Sequence, residues 1–493
     1  MPDPLSSCAP TRVLMSAAQH EPQLAERRLE LLPGGTGPAE VAALYRALAA
    51  RLAMLTGPVA GSQPGLAEGA QADSGVETVE ASQAAPVVGP ATGPVTISQA
   101  QEPASSPLLV PVAPDEDKDA LRRRLNRILR GVPPRADLLL RTSGSTRGHG
   151  SIVAMSAAAL AASAQATDAR LAGPGCWVLA LPAHHVAGLQ VLVRSALSGH
   201  APSVVDTRQG FRPQALADGL EEALQVAGRT PVYTSLVPTQ LLRCLENPRA
   251  TALLARTSAV LVGGAATDPV LYRRALARGL RVVRTYGMSE TGGGCVYDGR
   301  PLDGVSVRIQ DPDVDSVGRI VLAGPVLAEA CWEGSSVLRR RPDGGVELLT
   351  SDRGRLDGGV LTVLGRVDDV IVTGGVKVEP RVVEEAMTGL PGVAQCCVVG
   401  VADARWGAVV VAVVVPHEHT VVDPEALRQA ARARLDGAHS PKRVVLVDEL
   451  PERGPGKVDR RAVAVLATHL SAQAITAPTD RQTRAHGAAH GAR

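Results

Sequence analysis

The sequence predicts an α/β body followed by a smaller α+β unit, and three observations carry that prediction. Between residues 136 and 283, short β-rich apolar runs alternate with helical patterns. That order is expected of a mixed or parallel sheet covered by helices on both faces. From Val305 the runs shorten and turn signals such as Pro342-Asp-Gly-Gly345 and Asp357-Gly-Gly359 separate them, as in an antiparallel meander. After Gly365, strand and helix patterns alternate again over roughly 100 residues, enough for a core of its own.

In chain order, Pro38–Leu55 carries Val41, Leu44, Tyr45, Leu48, Leu52 and Leu55 at helical spacing, with Pro38 at the first helical position. Segment 1–56 is therefore expected to pack on the body. From Gly57 to Pro114, Ala, Gly, Pro, Ser, Gln and Val dominate and bulky residues are scarce. Such a stretch buries too little apolar surface to offset its ordering entropy, so 57–114 reads as a disordered low-complexity insertion. Within it, Leu108-Leu-Val-Pro-Val112 has strand character. A large unit, 115–365, then opens with a helix over 119–130 and a strand over 136–140. A hydroxyl- and glycine-rich loop, Thr142–Ser151, leads to an alanine-rich helix from about Met155. Strand Cys176–Leu181 ends in Pro182-Ala-His-His-Val-Ala-Gly188 and runs into a helix ending near Leu197. Further strands are expected at 204–205, 232–234, 259–262 and 281–283, with helices over 213–226, 238–244 and 269–277. The meander follows, and then a small unit, 366–470, with helices over 380–390, 424–435 and 460–466. The tail 471–493 lacks periodicity and is expected to be disordered.

Composition narrows the function. The 51 basic and 49 acidic residues nearly cancel, so no polyanion-binding footprint is present. A single phenylalanine, Phe211, argues against base-stacking platforms. The seven cysteines include no C-x-x-C or zinc spacing, which suits free thiols in a reducing cytoplasm. The start lacks the pattern of a secretory leader, and no apolar run reaches the roughly 20 residues of a membrane span. The expectation is a cytoplasmic protein acting on small molecules, with no nucleic-acid or membrane partner and with homo-oligomerisation left open.

Several strand-end stretches carry groups suited to chemistry. In Thr142-Ser-Gly-Ser-Thr146, glycine and hydroxyls between a strand and a helix can cradle phosphate; a plain turn has the same composition. Tyr286-Gly-Met-Ser-Glu-Thr291 places one carboxylate, Glu290, where Mg²⁺ beside a phosphate could use it, or where it is simply solvated. Val262-Gly-Gly-Ala265 allows close approach to a flat ligand, or makes a tight connection. Asp352 at a strand end could take ribose hydroxyls; Arg366 and Asp368 lie at the junction of the units and could equally form a surface ion pair. Lys457, one of four lysines, sits on a Gly/Pro loop from which a point charge can swing. His184-His185 precede a helix without a third ligand at zinc spacing, which leaves a gatekeeping or capping role. Arg194 interrupts an apolar helix: it faces solvent, or it faces inward and needs an anion.

Taken in order, Thr142–Ser151, Tyr286–Thr291, Thr350-Ser-Asp352, Gly365-Arg-Val-Asp-Asp369, Thr373-Gly-Gly375 and Pro455-Gly-Lys457 resemble the core motifs of the adenylate-forming superfamily over about residues 118–466. Leu181-Pro-Ala-His-His-Val-Ala-Gly-Leu-Gln190 with Arg194, Val262-Gly-Gly-Ala265 and Gly294-Cys-Val-Tyr-Asp-Gly299 are similar to its o-succinylbenzoate-activating branch. The resemblance implies a large adenylate-forming domain and a small mobile C-terminal domain. It implies adenylation of an aromatic keto-dicarboxylate by ATP with Mg²⁺, then transfer of the acyl group to CoA, in menaquinone biosynthesis. Alternatives are a ligase for another carboxylate and a non-catalytic nucleotide-binding homologue. By the same resemblance, Thr142, Ser143, Gly144, Ser145 and Thr146 hold phosphates, and Gly264, Ala265, Tyr286 and Gly287 meet the nucleotide. Asp352 and Arg366 bind the ribose, Thr291 the α-phosphate, and Glu290 the metal. His185, Ser289 and Arg194 meet the acyl substrate. Lys457 stabilises the adenylation transition state, Asp368 is the hinge, and Gly374 and Gly375 serve the CoA step. One departure stands out: the family loop reads T-S-G-[ST]-T-G-x-P-K-G, whereas Arg147-Gly-His-Gly150 here lacks the lysine, and arginine is not an equivalent point charge.

Overall fold

The computed structural model describes residues 27–56, 106–142, 150–334, 336–452 and 457–476. The α/β body contains two sheets. In one, the order is Leu29–Pro33, Leu108–Val112, Leu138–Arg141, Ile152–Met155 and Ala330–Trp332. The other has seven strands, ordered Arg300–Pro301, Gly293–Tyr297, Val282–Met288, Ala259–Val262, Val232–Leu236, Cys176–Leu179 and Ser203–Val204. Its strands are parallel from Val282–Met288 through to Ser203–Val204. The four strands Cys176–Leu179, Val232–Leu236, Ala259–Val262 and Val282–Met288 all deliver their carboxyl ends to one edge, where ligands of such sheets sit.

Helix Pro38–Thr56 inserts Val41, Leu44, Leu48 and Leu52 into the core cluster that also holds Leu189, Val191, Leu192 and Val193 of helix Val186–Ser198. The 3.6-residue period read from the sequence is thus the period of its buried face. The antiparallel sheet follows as expected, but its strand Val346–Asp357 is longer than the apolar run predicts and pairs with Val360–Arg366 through a tight turn. The small unit has a hairpin (Ile371–Thr373, Val376–Val378), a three-stranded sheet (Val393–Asp403, Gly407–Pro416, Arg443–Leu446) and helices Pro380–Thr388, Pro424–Arg432 and Arg460–Thr476. Its core clusters are separate from those of the body.

Two local expectations are revised. Residues 108–112 have the strand expected of them, but it is fully buried between Leu29–Pro33 and Leu138–Arg141, so the expected disordered insertion does not extend over them. Pro111 is tolerated there because pairing to Leu138–Arg141 is confined to Leu109↔Leu138, so no ladder bond beyond it needs an N–H. The rest of that stretch up to residue 105 lies outside the described residues. Second, the loop after Arg141 does not run into a helix. It is closed by strand Ile152–Met155, antiparallel to Leu138–Arg141, because the run Ile-Val-Ala-Met is fully buried on the sheet. The helix begins only at Ala157, capped by Ser156 Oγ and with its first N–H donated to Asp137 Oδ2 at 2.7 Å. Among the described residues, no helix is long and apolar enough to cross a membrane.

Candidate active site

A cavity of about 1070 Å³ lies at the strand carboxyl ends, and the small unit closes one side of it. Thr142, His185, Arg194, Gly264, Ala265, Tyr286, Gly287, Ser289, Glu290, Asp352, Arg366, Asp368 and Lys457, all singled out from the sequence, line it. Ser143, Gly144, Ser145 and Thr146, with Arg147, lie outside the described residues. The rim of that loop is described: Thr142 N donates to Ser151 O at 3.0 Å, and Ser151 N donates to Thr142 Oγ1 at 2.9 Å. Next to it, Arg141 is ion-paired with Glu116.

At the nucleotide end, strand Ala259–Val262 stops in a turn where Gly264 has φ +80°, a conformation that favours glycine. The side chain of Lys457 reaches this turn: its Cε lies 3.8 Å from where a Cβ on Gly264 would stand. Tyr286 donates its hydroxyl to Asp352 Oδ2 at 2.8 Å. Asp352 faces Arg366 across the Val346–Asp357/Val360–Arg366 pair, and Arg366 Nη2 donates to Asp368 Oδ2 at 3.3 Å. Burial pushes the Asp352 carboxyl above its ordinary range, against the hydrogen bond from Tyr286 and the charge of Arg366. Burial likewise raises Glu290, with Arg366 and Lys457 pulling it back. Thr291 departs from its expected place. It is fully buried, does not line the cavity, and its hydroxyl donates within the turn to Gly293 O at 2.7 Å while accepting from Met288 N at 2.9 Å.

At the opposite end, helix Val186–Ser198 carries Arg194 inward rather than to solvent. The residue is 3% exposed. Its guanidinium stands over the Trp177 ring, 4.9 Å from the centroid, and Nη2 donates to Thr167 Oγ1 at 3.3 Å and Tyr297 OH at 3.4 Å. No carboxylate pairs with it among the described residues, although Asp168, whose carboxyl burial pushes up to about 6, feels its charge. His185 occupies the N-cap position of the helix, yet its side chain caps nothing. Its ring lies 4.3 Å from that of His184, and burial holds it neutral, with a pKa lowered to about 3; His184, Lys457 and Arg141 add to that effect. His184 is held in turn by Gly34 O, which accepts from its N at 2.6 Å and meets its Nδ1 at 2.8 Å.

Gly374 and Gly375 do not join this cavity. They form the exposed tip of the small unit's hairpin, where Gly374 N donates to Trp406 O at 2.9 Å. Contacts across the junction were not foreseen. Arg353 of the body is ion-paired with Glu379 of the small unit, and Arg381 Nη1 donates to Val363 O at 2.5 Å. Sequence reasoning also missed Gln190, Thr167 and Tyr297 in the acyl end. An amide four residues before Arg194 in an otherwise apolar helix is the signal that could have found the first.

Residues 35–332 match the AMP-binding enzyme family, and residues 382–457 match the AMP-binding enzyme C-terminal domain. The chain is 45% identical over 333 residues to the probable 2-succinylbenzoate–CoA ligase of Mycobacterium tuberculosis, covering 66% of this chain and 83% of that protein. It is similar to the wild-type Escherichia coli MenE structure with a bound analogue of OSB-AMS, at 26% identity and TM-score 0.56, covering 74% of this chain and 83% of that one. It is also similar to the Bacillus subtilis o-succinylbenzoate coenzyme A synthetase in complex with ATP and magnesium ion, at 25% identity and TM-score 0.55, covering 66% and 69%. The chain therefore belongs to the AMP-binding enzyme family.

Proposed function

We propose that the protein is an AMP-forming acyl-CoA ligase that activates o-succinylbenzoate with ATP and transfers the acyl group to CoA, in menaquinone biosynthesis. One observation carries the substrate reading. A buried arginine without a carboxylate partner among the described residues faces the far end of a cavity whose near end holds the nucleotide-type groups. A dicarboxylate spans those two needs, with one carboxylate on Arg194 and the other at the phosphate.

A carboxylate is a poor acyl donor. Its oxygen attacks the ATP α-phosphorus, a P–O bond forms, and pyrophosphate leaves. Such a step depends on alignment and charge compensation more than on covalent help. Lys457, aimed at the Gly264 turn, compensates the charge. Gly264, Ala265, Tyr286 and Gly287 cradle the adenine side, Asp352 and Arg366 the ribose, and Thr142 with the loop beyond it the leaving phosphates. His185 and Ser289 flank the acyl group. Thr291, its hydroxyl committed to the turn, holds Glu290 in place. Glu290 is the buried carboxylate of the turn after strand Val282–Met288, and among the described residues no cluster of three metal-ligating side chains exists. That donor set fits Mg²⁺, which takes most of its oxygens from phosphate and water. When bound there, the ion neutralises phosphate charge.

In the second half-reaction the CoA thiol attacks the acyl carbonyl and AMP leaves. Lys457 inside the cavity and Gly374–Gly375 outside it support reading this arrangement as the adenylating one. Rotation about Asp368 then exchanges them. The test is pyrophosphate release from ATP, Mg²⁺ and o-succinylbenzoate, followed by thioester formation on adding CoA. Release with another aromatic acid but none with o-succinylbenzoate overturns the substrate.

A further inference from the structure

Gln190 lies one turn before Arg194 on the same side of helix Val186–Ser198 and is 1% exposed, yet it lines the cavity. Its Nε2 donates to Gly292 O at 2.6 Å and to Leu160 O at 3.3 Å. These carbonyls fix the orientation of the carboxamide, because the flipped amide would set oxygen against oxygen. The same side chain abuts Gly293: with φ +108° there, an added Cβ would stand 3.2 Å from Gln190 Cγ. The amide thereby ties the acyl helix to the Ser289–Gly293 turn that carries Glu290.

Gln190 Oε1 is left as a buried acceptor with no partner among the described residues. Leaving such an atom unpaired forfeits its hydration without compensation, so the site needs a donor. Ionised carboxylates and ketones supply none. A water molecule supplies two, and can serve Oε1 and a carboxylate at once. Arg194 Nε, on a residue lining the same cavity, is also buried without a partner among the described residues. The acyl end thus has more hydrogen-bonding capacity than the described residues use, as expected of a site that receives a polar group together with water.

We infer that Gln190 is a specificity-determining residue: its Oε1 holds a water that donates to the substrate carboxylate seated on Arg194. The inference rests on the dicarboxylate reading above. It is tested on the full chain by comparing kcat/KM for o-succinylbenzoate with that for whichever of its two singly decarboxylated analogues is adenylated. Gln190→Leu removes both amide functions, and Gln190→Glu sets an anion beside the carboxylate. The tie to Gly292 affects both substrates, whereas the water affects only the dicarboxylate. The preference for the dicarboxylate is therefore expected to fall about tenfold in Gln190→Leu, the weight of one hydrogen bond to a charged group, and further in Gln190→Glu. Should the leucine variant fail to fold, Gln190→Met gives the same comparison with a more adaptable side chain. A folded variant that keeps the wild-type ratio while overall turnover drops overturns the inference and leaves a structural tie. A wild-type enzyme without preference for the dicarboxylate overturns the dicarboxylate reading itself, and the inference with it.

Discussion

At the acyl end of the cavity, Arg194 and Gln190 are buried and each retains a polar atom that no described residue satisfies. At the nucleotide end, polar groups that line the cavity already have partners: Tyr286 with Asp352, and Arg366 with Asp368. One end holds hydrogen-bonding capacity in reserve for a single kind of guest. The other must exchange existing partners for ligand atoms and restore them afterwards. Selectivity is served by the first arrangement, because an analogue that leaves buried groups unpaired forfeits their full cost. Turnover is served by the second, because product departure leaves no group stranded.

Four substitutions break or sharpen this contrast. The largest effect is expected at the exchanging end: Lys457→Ala should slow pyrophosphate release about 10²- to 10³-fold, the range seen when one transition-state donor is removed. Supplying preformed acyl-adenylate should restore most thioester formation, and an equal loss in both half-reactions would place Lys457 outside the adenylation step. At the reserved end, Arg194→Ala should raise the KM for o-succinylbenzoate about 10²-fold, the cost of an unpaired buried carboxylate, with the KM for ATP little changed. Parallel changes in both constants would show that the ends are not independent.

A smaller effect is expected at the junction. Arg353→Ala removes the ion pair that holds Glu379 across the two units. The ratio of adenylation to thioester rates should shift about fivefold toward the second step, as for a modest coupling energy, in single-turnover measurements of each; an unchanged ratio would make the pair a static contact. The last is a pH effect on stability, away from the chemistry. The Asp168 carboxyl, raised to about 6, favours the protonated folded state. Its contribution is complete below the unfolded carboxylate range near pH 4 and is lost as pH rises through 6. Asp168→Asn should therefore stabilise the protein at pH 7.5 by on the order of 1–2 kcal/mol and leave it unchanged near pH 4. Thermal unfolding across that range checks the sign. His185 acts oppositely: with its pKa lowered to about 3, its contribution is present above the ordinary histidine range and fades as pH falls from about 6.5 toward 3, in both proteins alike.

What the sequence made legible followed from local rules. Strand-end loops rich in glycine and hydroxyls, a carboxylate in a tight turn, and a lysine on a Gly/Pro loop are chemistry compressed into a few adjacent residues. So Gly264, Glu290, Asp352 and Lys457 could be found one motif at a time, and the structure gathers them in one cavity. The features that were misread or missed depend on distant partners. That strand 108–112 belongs to the body's sheet and not to the insertion was decided by strands on either side of it, one of them before the insertion. The strand after Ser151 hides in a run too short to tell from the start of a helix. Arg353 and Glu379 stand far apart in sequence, and only the docking of the two units brings them together. For Arg194, the residues alone left inward and outward orientations open; its partners Trp177, Thr167 and Tyr297, all distant in sequence, hold it inward.

The Gly34 carbonyl that holds His184 belongs to the turn between strand Leu29–Pro33 and helix Pro38–Thr56, at the very beginning of the described chain. That beginning braces the histidine pair beside the substrate site and also forms the rim of a sheet. A shortened protein starting after residue 106 would lose the anchor of the histidine pair and bare strand Leu108–Val112 as a new, apolar edge able to pair with other chains. Weakened acyl binding and aggregation would then arise together from one deletion, so solubility alone would serve as an early readout of damage to substrate recognition.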